Sequence, residues 1–229
     1  MRAGNMRASL SAPGRVDELG RSIGAYAWAG GEEEAYDSAL AALLAIELFA
    51  DPDLDGRQKA ELLPAMVLPD PGAALARCGA DRFWEMLSDV VWEAYGLDIT
   101  GARNDCRISE ARAFDWSEDA RRISASLRMA YGFDWAAEAG STPFSEVCGM
   151  LGGLLEDGAG ETPFAQAVRY RLGKPPERTG RNDERVRAWN AARDHFALER
   201  GSGGEAGTAE REARAADMFA SLRRAASHG

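Results

Sequence analysis

Only two histidines, His195 and His228, and three cysteines, Cys78, Cys106 and Cys148, occur in 229 residues. The cysteines are scattered and odd in number, and no CxxC pair exists, so neither a disulfide framework nor a zinc site is expected. Lysine stands only at 59 and 174, against abundant arginine. Long hydrophobic runs are missing too. The longest, ALAALLAIELFA, is a dozen residues and contains Glu47, too short and too polar to cross a membrane or to serve as an export signal. A soluble cytoplasmic protein without membrane partners is the expectation. Positive charge is in deficit: the formal net charge is -10 and the pI about 4.8. An acidic chain suits a phosphate backbone poorly, so no nucleic-acid partner is expected. Arg121-Arg122, Arg169-Tyr170-Arg171 and Arg185-Val186-Arg187 each have acids nearby and read as solvated helix faces.

Catalytic signatures are equally scarce. The chain has no Gly-x-Ser-x-Gly elbow, no His-bearing metal helix, no dinucleotide loop and no GxxxxGK[ST]. His195 falls late in an amphipathic helix beside Arg193 and Asp194 and reads as a surface or rim residue. Most carboxylates have a helix-capping or solvated-face explanation. The chain is therefore read as a non-enzyme with no cofactor or metal. A hydrolase using two distant carboxylates is the enzymatic alternative, but no pair stands out.

DPDLDG at 51–56 puts Asp51, Asp53, Asp55 and Gly56 at the first ligand positions of a calcium loop. The twelfth position, which needs a bidentate Glu, is Leu62, and the eighth is Gln58. The simpler reading is structural. Pro52 stops one helix, and Asp55 caps the next, with Gln58 completing a capping box.

What is present is helical punctuation. Residues 1–15 lack periodicity and are expected to be disordered. Residues 16–28 offer two short strands around Gly20-Arg21, the one plausible β-element. Glu32, Glu33 and Glu34 place negative charge on the first turn of a predicted helix running to about Phe49. Ala35, Ala39, Ala42, Ile46 and Phe49, beside Leu40, Leu43 and Leu44, give that helix one broad buried face. A second helix follows Asp55 and is interrupted at Pro64. Asp70-Pro71 opens a third that ends near Gly79. Asp81 is expected to cap a fourth, ending at Gly96, with Phe83, Met86, Leu87, Val90 and Ala94 inward, widened by Trp84, Val91 and Tyr95. Trp92 falls outside that arc beside Glu85 and Ser88, either as a partner contact or packed under a neighbouring loop.

Residues 97–113 read as a polar loop. Asp115 and Glu118 form a second capping box before Ile123, Leu127, Ala130 and Tyr131, with Gly132 as the stop. TPF at 142–144 and at 162–164 starts two further helices with Thr as cap and Pro in the first turn. Gly149, Gly152 and Gly153 predict a close helix–helix approach. KPPERTG (174–180) is a connector, and Asn182 caps a helix bearing Val186, Trp189, Ala192 and Phe196. These elements predict a mainly helical, all-α domain over 16–199, with a possible short β-hairpin near its start. A Gly-rich linker at 200–207 leads to a C-terminal amphipathic helix at 208–229, whose Met218, Phe219 and Leu222 line one side.

Several blocks together carry a family pattern. LFADPDLDGRQKAELL (48–63), RFWEML (82–87), FDWSEDARRISASLRMAYGFD (114–134), FSEVCGMLGGLLEDGAGETPFAQAVRYR (144–171) and WNAARDHFAL (189–198) resemble the bacteriophage "gene product fifteen" family, common in siphophages and prophages. The most specific part is the Asp-Trp, Asp, Ile, Tyr-Gly-Phe-Asp series. The chain departs from the family at AYDSAL, where members carry Asp-Phe-Arg near the first helix, and at STPF, where they carry His-Trp-Trp. The resemblance implies a helical, non-catalytic protein of the tail module, similar to tail assembly chaperones made in the host cytoplasm. Its implied partners are the tape measure protein, the major tail protein, or both, with a second copy of the chain as a further possibility. Trp92, Met218, Phe219 and Leu222 are the candidate partner contacts. A minor structural component of the tail is the alternative function.

Overall fold

The structure is a computed structural model and describes residues 15–100, 113–156, 161–179 and 182–198. Among these residues it is mainly helical, with nine helices and one small three-stranded antiparallel sheet at the start. The stretch read as one domain divides into two compact units. The first comprises described residues of 15–100 and 136–149, the second those of 113–135 and 150–198. The N-terminal segment up to residue 14, Cys106 with most of the 97–113 loop, the Gly-rich linker and the C-terminal segment with Met218, Phe219 and Leu222 lie outside the described residues.

In the first unit, β1 (Arg15–Val16) and β2 (Ser22–Trp28) pair around the expected Gly20-Arg21 turn. Asp17 organises that turn by accepting the backbone N–H of Leu19 and of Arg21, and Gly20 takes a positive φ of 77°. The next segment differs from expectation. Glu32, Glu33 and Glu34 do not open a helix; they form β3 (Gly31–Tyr36), joined to β2 across Ala29-Gly30. Pairing with β2 prevails, and strand alternation sends Glu33 inward onto Arg77 while Glu32 and Glu34 stay exposed.

Helix α1 (Ala39–Ala50) therefore starts later, at a Ser38 cap whose Oγ accepts from the Ala41 N–H. Its first free N–H groups, those of Ala39 and Leu40, donate to the carbonyls of Thr142 and Ala139. Asp51 is extended before Pro52 and ends it, and Lys59 Nζ donates to the Phe49 carbonyl at 3.0 Å. In α2 (Gly56–Val67) the predicted capping box is present: Asp55 accepts from the Gln58 N–H at 2.8 Å, and Gln58 accepts from the Asp55 N–H at 2.9 Å. Asp51 and Asp55 of DPDLDG thus serve backbone groups, Asp51 accepting from the Asp53 N–H. Asp55→Ala is expected to cost about 0.5–2 kcal/mol, read by thermal melting, and millimolar calcium is expected to leave the melting temperature of either protein unchanged.

Pro64 does not interrupt α2. Its missing N–H forfeits one helical hydrogen bond, but Leu63 and Val67 beside it are buried, and the Pro64 carbonyl still accepts from Leu68. Helix α3 (Pro71–Cys78) begins at the Asp70 cap as expected. Helix α4 (Ala80–Tyr95) begins one residue before Asp81, which sits in its first turn instead of capping it, and ends at left-handed Gly96. Phe83, Met86, Leu87, Val90, Val91, Ala94 and Tyr95 are buried as predicted. Ser88, expected outside the arc, is buried as well.

The second unit is built on α5 (Ala120–Tyr131), α8 (Pro163–Leu172) and α9 (Asp183–Phe196), while α6 (Trp135–Glu138) and α7 (Phe144–Gly153) lie across the division. Asp115 accepts from the Glu118 N–H, and Asp119 accepts from the Asp115 N–H. Thr162 caps α8 through Ala165, whereas Pro143 pairs with Ser38 in an isolated bridge and α7 starts only at Phe144. The two TPF sequences therefore start helices differently, although Phe144 and Phe164 are both buried. Among the described residues, the expected close approach at the glycines is absent at Gly149 and Gly152, where an added Cβ meets nothing within 4 Å. At Gly153 such a Cβ lies 2.7 Å from the Tyr131 hydroxyl, which donates to the Met150 carbonyl. Asn182 precedes α9 but turns back, accepting from the Thr179 N–H and donating to Glu177.

Candidate functional site

Pairing of Tyr26 with Glu33 and Gly24 with Ala35 extends to Ser22 and Asp37, whose backbones are also hydrogen-bonded. Antiparallel register puts all six side-chain positions on one face of the sheet. The Tyr26 hydroxyl donates to Asp37 Oδ2 at 3.3 Å, and the Tyr95 hydroxyl from α4 donates to the Tyr36 carbonyl. Gly24 leaves the space this arrangement needs, since an added Cβ would lie 2.7 Å from Asp37 Oδ2 and from the Tyr26 ring. Asp37 Oδ1 and Ser22 Oγ are buried without a hydrogen-bond partner. Such a pair is costly unless a small polar guest such as water reaches it.

Burial, reinforced by the Asp37 carboxylate and its hydrogen bond, pushes the Tyr26 hydroxyl above its ordinary pKa; burial, Tyr26 and Asp37 do the same for Tyr95. Both stay protonated donors at neutral pH. A raised folded-state pKa stabilises the fold fully below the unfolded value of about 10 and is lost as pH climbs through the folded values. Stability is therefore expected to fall above about pH 10, with tyrosinate absorbance from these two residues appearing only together with unfolding. Burial also raises the Cys148 thiol to about 11 and moves Cys78 upward, which leaves neither a ready thiolate.

The second unit contains a site that the sequence reading placed on the surface. Arg171 is 8 % exposed, and its guanidinium donates to both oxygens of Asp119, at 2.6 and 2.9 Å. The same guanidinium donates to the carbonyls of Phe196 and Ala113. Arg122 adds a contact to Asp119 Oδ1 at 2.8 Å and lies over the Phe196 ring. Arg171 and Arg122 are thus not residues of a solvated face. A signal was available: Phe164, Ala167, Val168 and Arg171 share one helical stripe, so the arginine had to find a buried acid. Burial alone would raise the Asp119 pKa, but the hydrogen bonds from Arg171, the Asp115 N–H and Arg122, with the charge of Arg171, bring it below the ordinary carboxylate value. Tyr170 stacks on Phe196 and meets Trp189 at 4.8 Å, and these contacts hold α9 to α8. The predicted stripe of Val186, Trp189, Ala192 and Phe196 is the half-buried one.

Of the candidate partner contacts, Trp92 is half-buried on α4 and already interacts within the chain. His195 is exposed. A different surface emerges on α1. Its buried residues are Ala39, Ala41, Ala42, Ala45 and Leu48, while Leu40 and Leu44 are 43 % and 41 % exposed. This corrects the expectation that Leu40 and Leu44 help form the buried face. Among the described residues, no three His, Cys, Asp or Glu side chains gather as a metal site, and no helix is long and apolar enough to cross a membrane. No protein-family model, curated protein or solved structure matches the chain.

Proposed function

We propose that this protein is a phage tail assembly chaperone: a non-catalytic, cytoplasmic protein that binds the tape measure protein while the tail is built. The observation that carries this reading is the ordered series of sequence blocks resembling the "gene product fifteen" family, above all the one at 114–134. The residues of that block have specific structural work. Asp115 and Asp119 organise the start of α5, Ile123 and Phe133 are buried, and Gly132 supplies the left-handed stop. A pattern that maps onto one coherent set of packing and capping roles supports the resemblance better than scattered identities would.

The two departures from the family pattern also meet each other. Ser38 of AYDSAL bridges to Pro143 of STPF, and the Phe144 N–H donates to the Asp37 carbonyl at 2.6 Å.

The test is co-expression with a phage tape measure protein. The chaperone reading expects the tape measure protein to be soluble and to co-purify when the chain is present, and to aggregate without it. Equal solubility with and without the chain, and no co-purification, would remove the reading.

A further inference from the structure

Helix α1 fills its buried side mostly with alanine, joined by Leu48, and turns two leucines outward. Ala42 and Ala45 are fully buried, while Leu40 and Leu44, one turn apart and hence on one face, are exposed. Leu43 beside them is half-buried, and Glu47 is the helix's single charged residue. A helix that served only to fill a core would bury Leu40 and Leu44 as it buries Leu48. The surroundings add a second, independent feature. Described residues of the first unit carry 19 Asp and Glu against 6 Lys and Arg, whereas those of the second carry 10 and 10. The chain's negative charge is thus concentrated on the unit that displays the leucines. Exposed Glu47 shares the face of Leu40 and Leu44, exposed Glu32 precedes α1, and exposed Asp53 and Asp55 follow it. Among the described residues, nearby positive charge is limited to Arg15, which is paired with Glu34, and Lys59, which is bound to the Phe49 carbonyl.

We propose that the outward face of α1, centred on Leu40 and Leu44, docks a basic amphipathic helix of a partner protein. Apolar residues at i, i+3 and i+4 of that helix would cover the leucines, and its Lys and Arg would meet the acidic surroundings. Two other occupants fit less well. A second copy would bring two strongly acidic units face to face, which costs affinity. The chain's own 208–226 segment holds Arg211, Arg214, Arg223 and Arg224 against Glu210, Glu212 and Asp217, and so offers almost no net positive charge. The inference rests on the chaperone reading only for the partner's identity; the face and the chemistry it selects are read from this chain.

The probe is a fluorescein-labelled Leu/Lys amphipathic peptide of about 18 residues, long enough for five helical turns, with a Leu/Glu counterpart. Each is titrated against the full chain by fluorescence anisotropy. The expected result is binding of the Lys peptide that weakens with salt and no binding of the Glu peptide. The Leu40→Gln/Leu44→Gln double variant should bind at least about tenfold more weakly. The control pair Leu62→Gln and Leu75→Gln, exposed leucines of the same unit, should bind as the unaltered chain does. Should the double variant melt early, Leu44→Gln alone replaces it, with a smaller loss in the same direction.

Unchanged binding by the α1 variants would overturn the proposal, since charge alone would then account for the affinity. A dimer that dissociates on Leu40→Gln/Leu44→Gln would assign the face to a second copy. A large gain in affinity on deleting 201–229 would assign it to the C-terminal segment. The co-expression test separates this inference from the function itself. If the α1 variants still solubilise the tape measure protein, the α1 assignment falls and the chaperone stands. If the peptide result holds while the unaltered chain never solubilises that protein, the face stands and the chaperone falls.

Discussion

Replacing Asp119 with alanine is expected to destabilise the second unit by about 3–5 kcal/mol, because a buried arginine would be left without its counter-charge. Arg171 donates to both Asp119 oxygens inside the unit, and its remaining bonds go to backbone carbonyls that cannot neutralise it. Denaturant unfolding of the single variant gives the figure. A combined Asp119→Leu/Arg171→Met variant should recover a large part of the loss, since no unpaired charge then stays behind. Acid titration supplies a second signature. The folded-state pKa of Asp119 is lowered, so its contribution is present above the unfolded value of about 3.9 and is lost as pH falls through the folded value. Asp119→Asn should remove that portion of the acid-induced loss of stability.

Leu87→Ala in α4 is expected to cost about 2–5 kcal/mol, the range for a fully buried leucine truncated in a core that cannot collapse around the gap. Leu87 is 0 % exposed, as are Met86, Val90 and Val91 on the same helix, and α4 packs against both the sheet and α3. The same truncation on α1, Leu44→Ala, should cost less than about 1 kcal/mol because that side chain already faces water. Comparing the two by denaturant unfolding checks the unusual orientation of α1 as well as the core. Equal costs would mean that Leu44 is buried after all.

The contrast between these helices also explains how far the sequence could be read. Helix ends marked by short-range chemistry were legible: Asp55 with Gln58, Asp70 with Pro71, and the glycine stops at Gly96 and Gly132 depend on neighbours within a few residues. The buried stripe of α4 was legible for the same kind of reason, since its large apolar residues recur at helical spacing. On α1 nearly every residue is apolar, so periodicity carried no information about which side faces in. Glu32–Glu34 satisfied a helix-start rule, but pairing with β2 prevailed, and pairing is not visible in local spacing. The Asp119–Arg171 pair joins residues 52 positions apart. Each partner alone resembled a surface charge; only the arginine's place on an apolar stripe hinted otherwise. The grouping of Ser22, Tyr26 and Asp37 depends on the β2–β3 register, and Tyr95 reaches it from α4; neither is encoded in local spacing.

The central claim, that the chain assists tail assembly and then leaves, is tested most directly by quantitative mass spectrometry of purified mature particles alongside the lysate in which they were made. The account predicts abundant protein in the lysate and less than one copy per particle. Stoichiometric copies retained in mature particles would contradict it and make the chain a structural component of the tail.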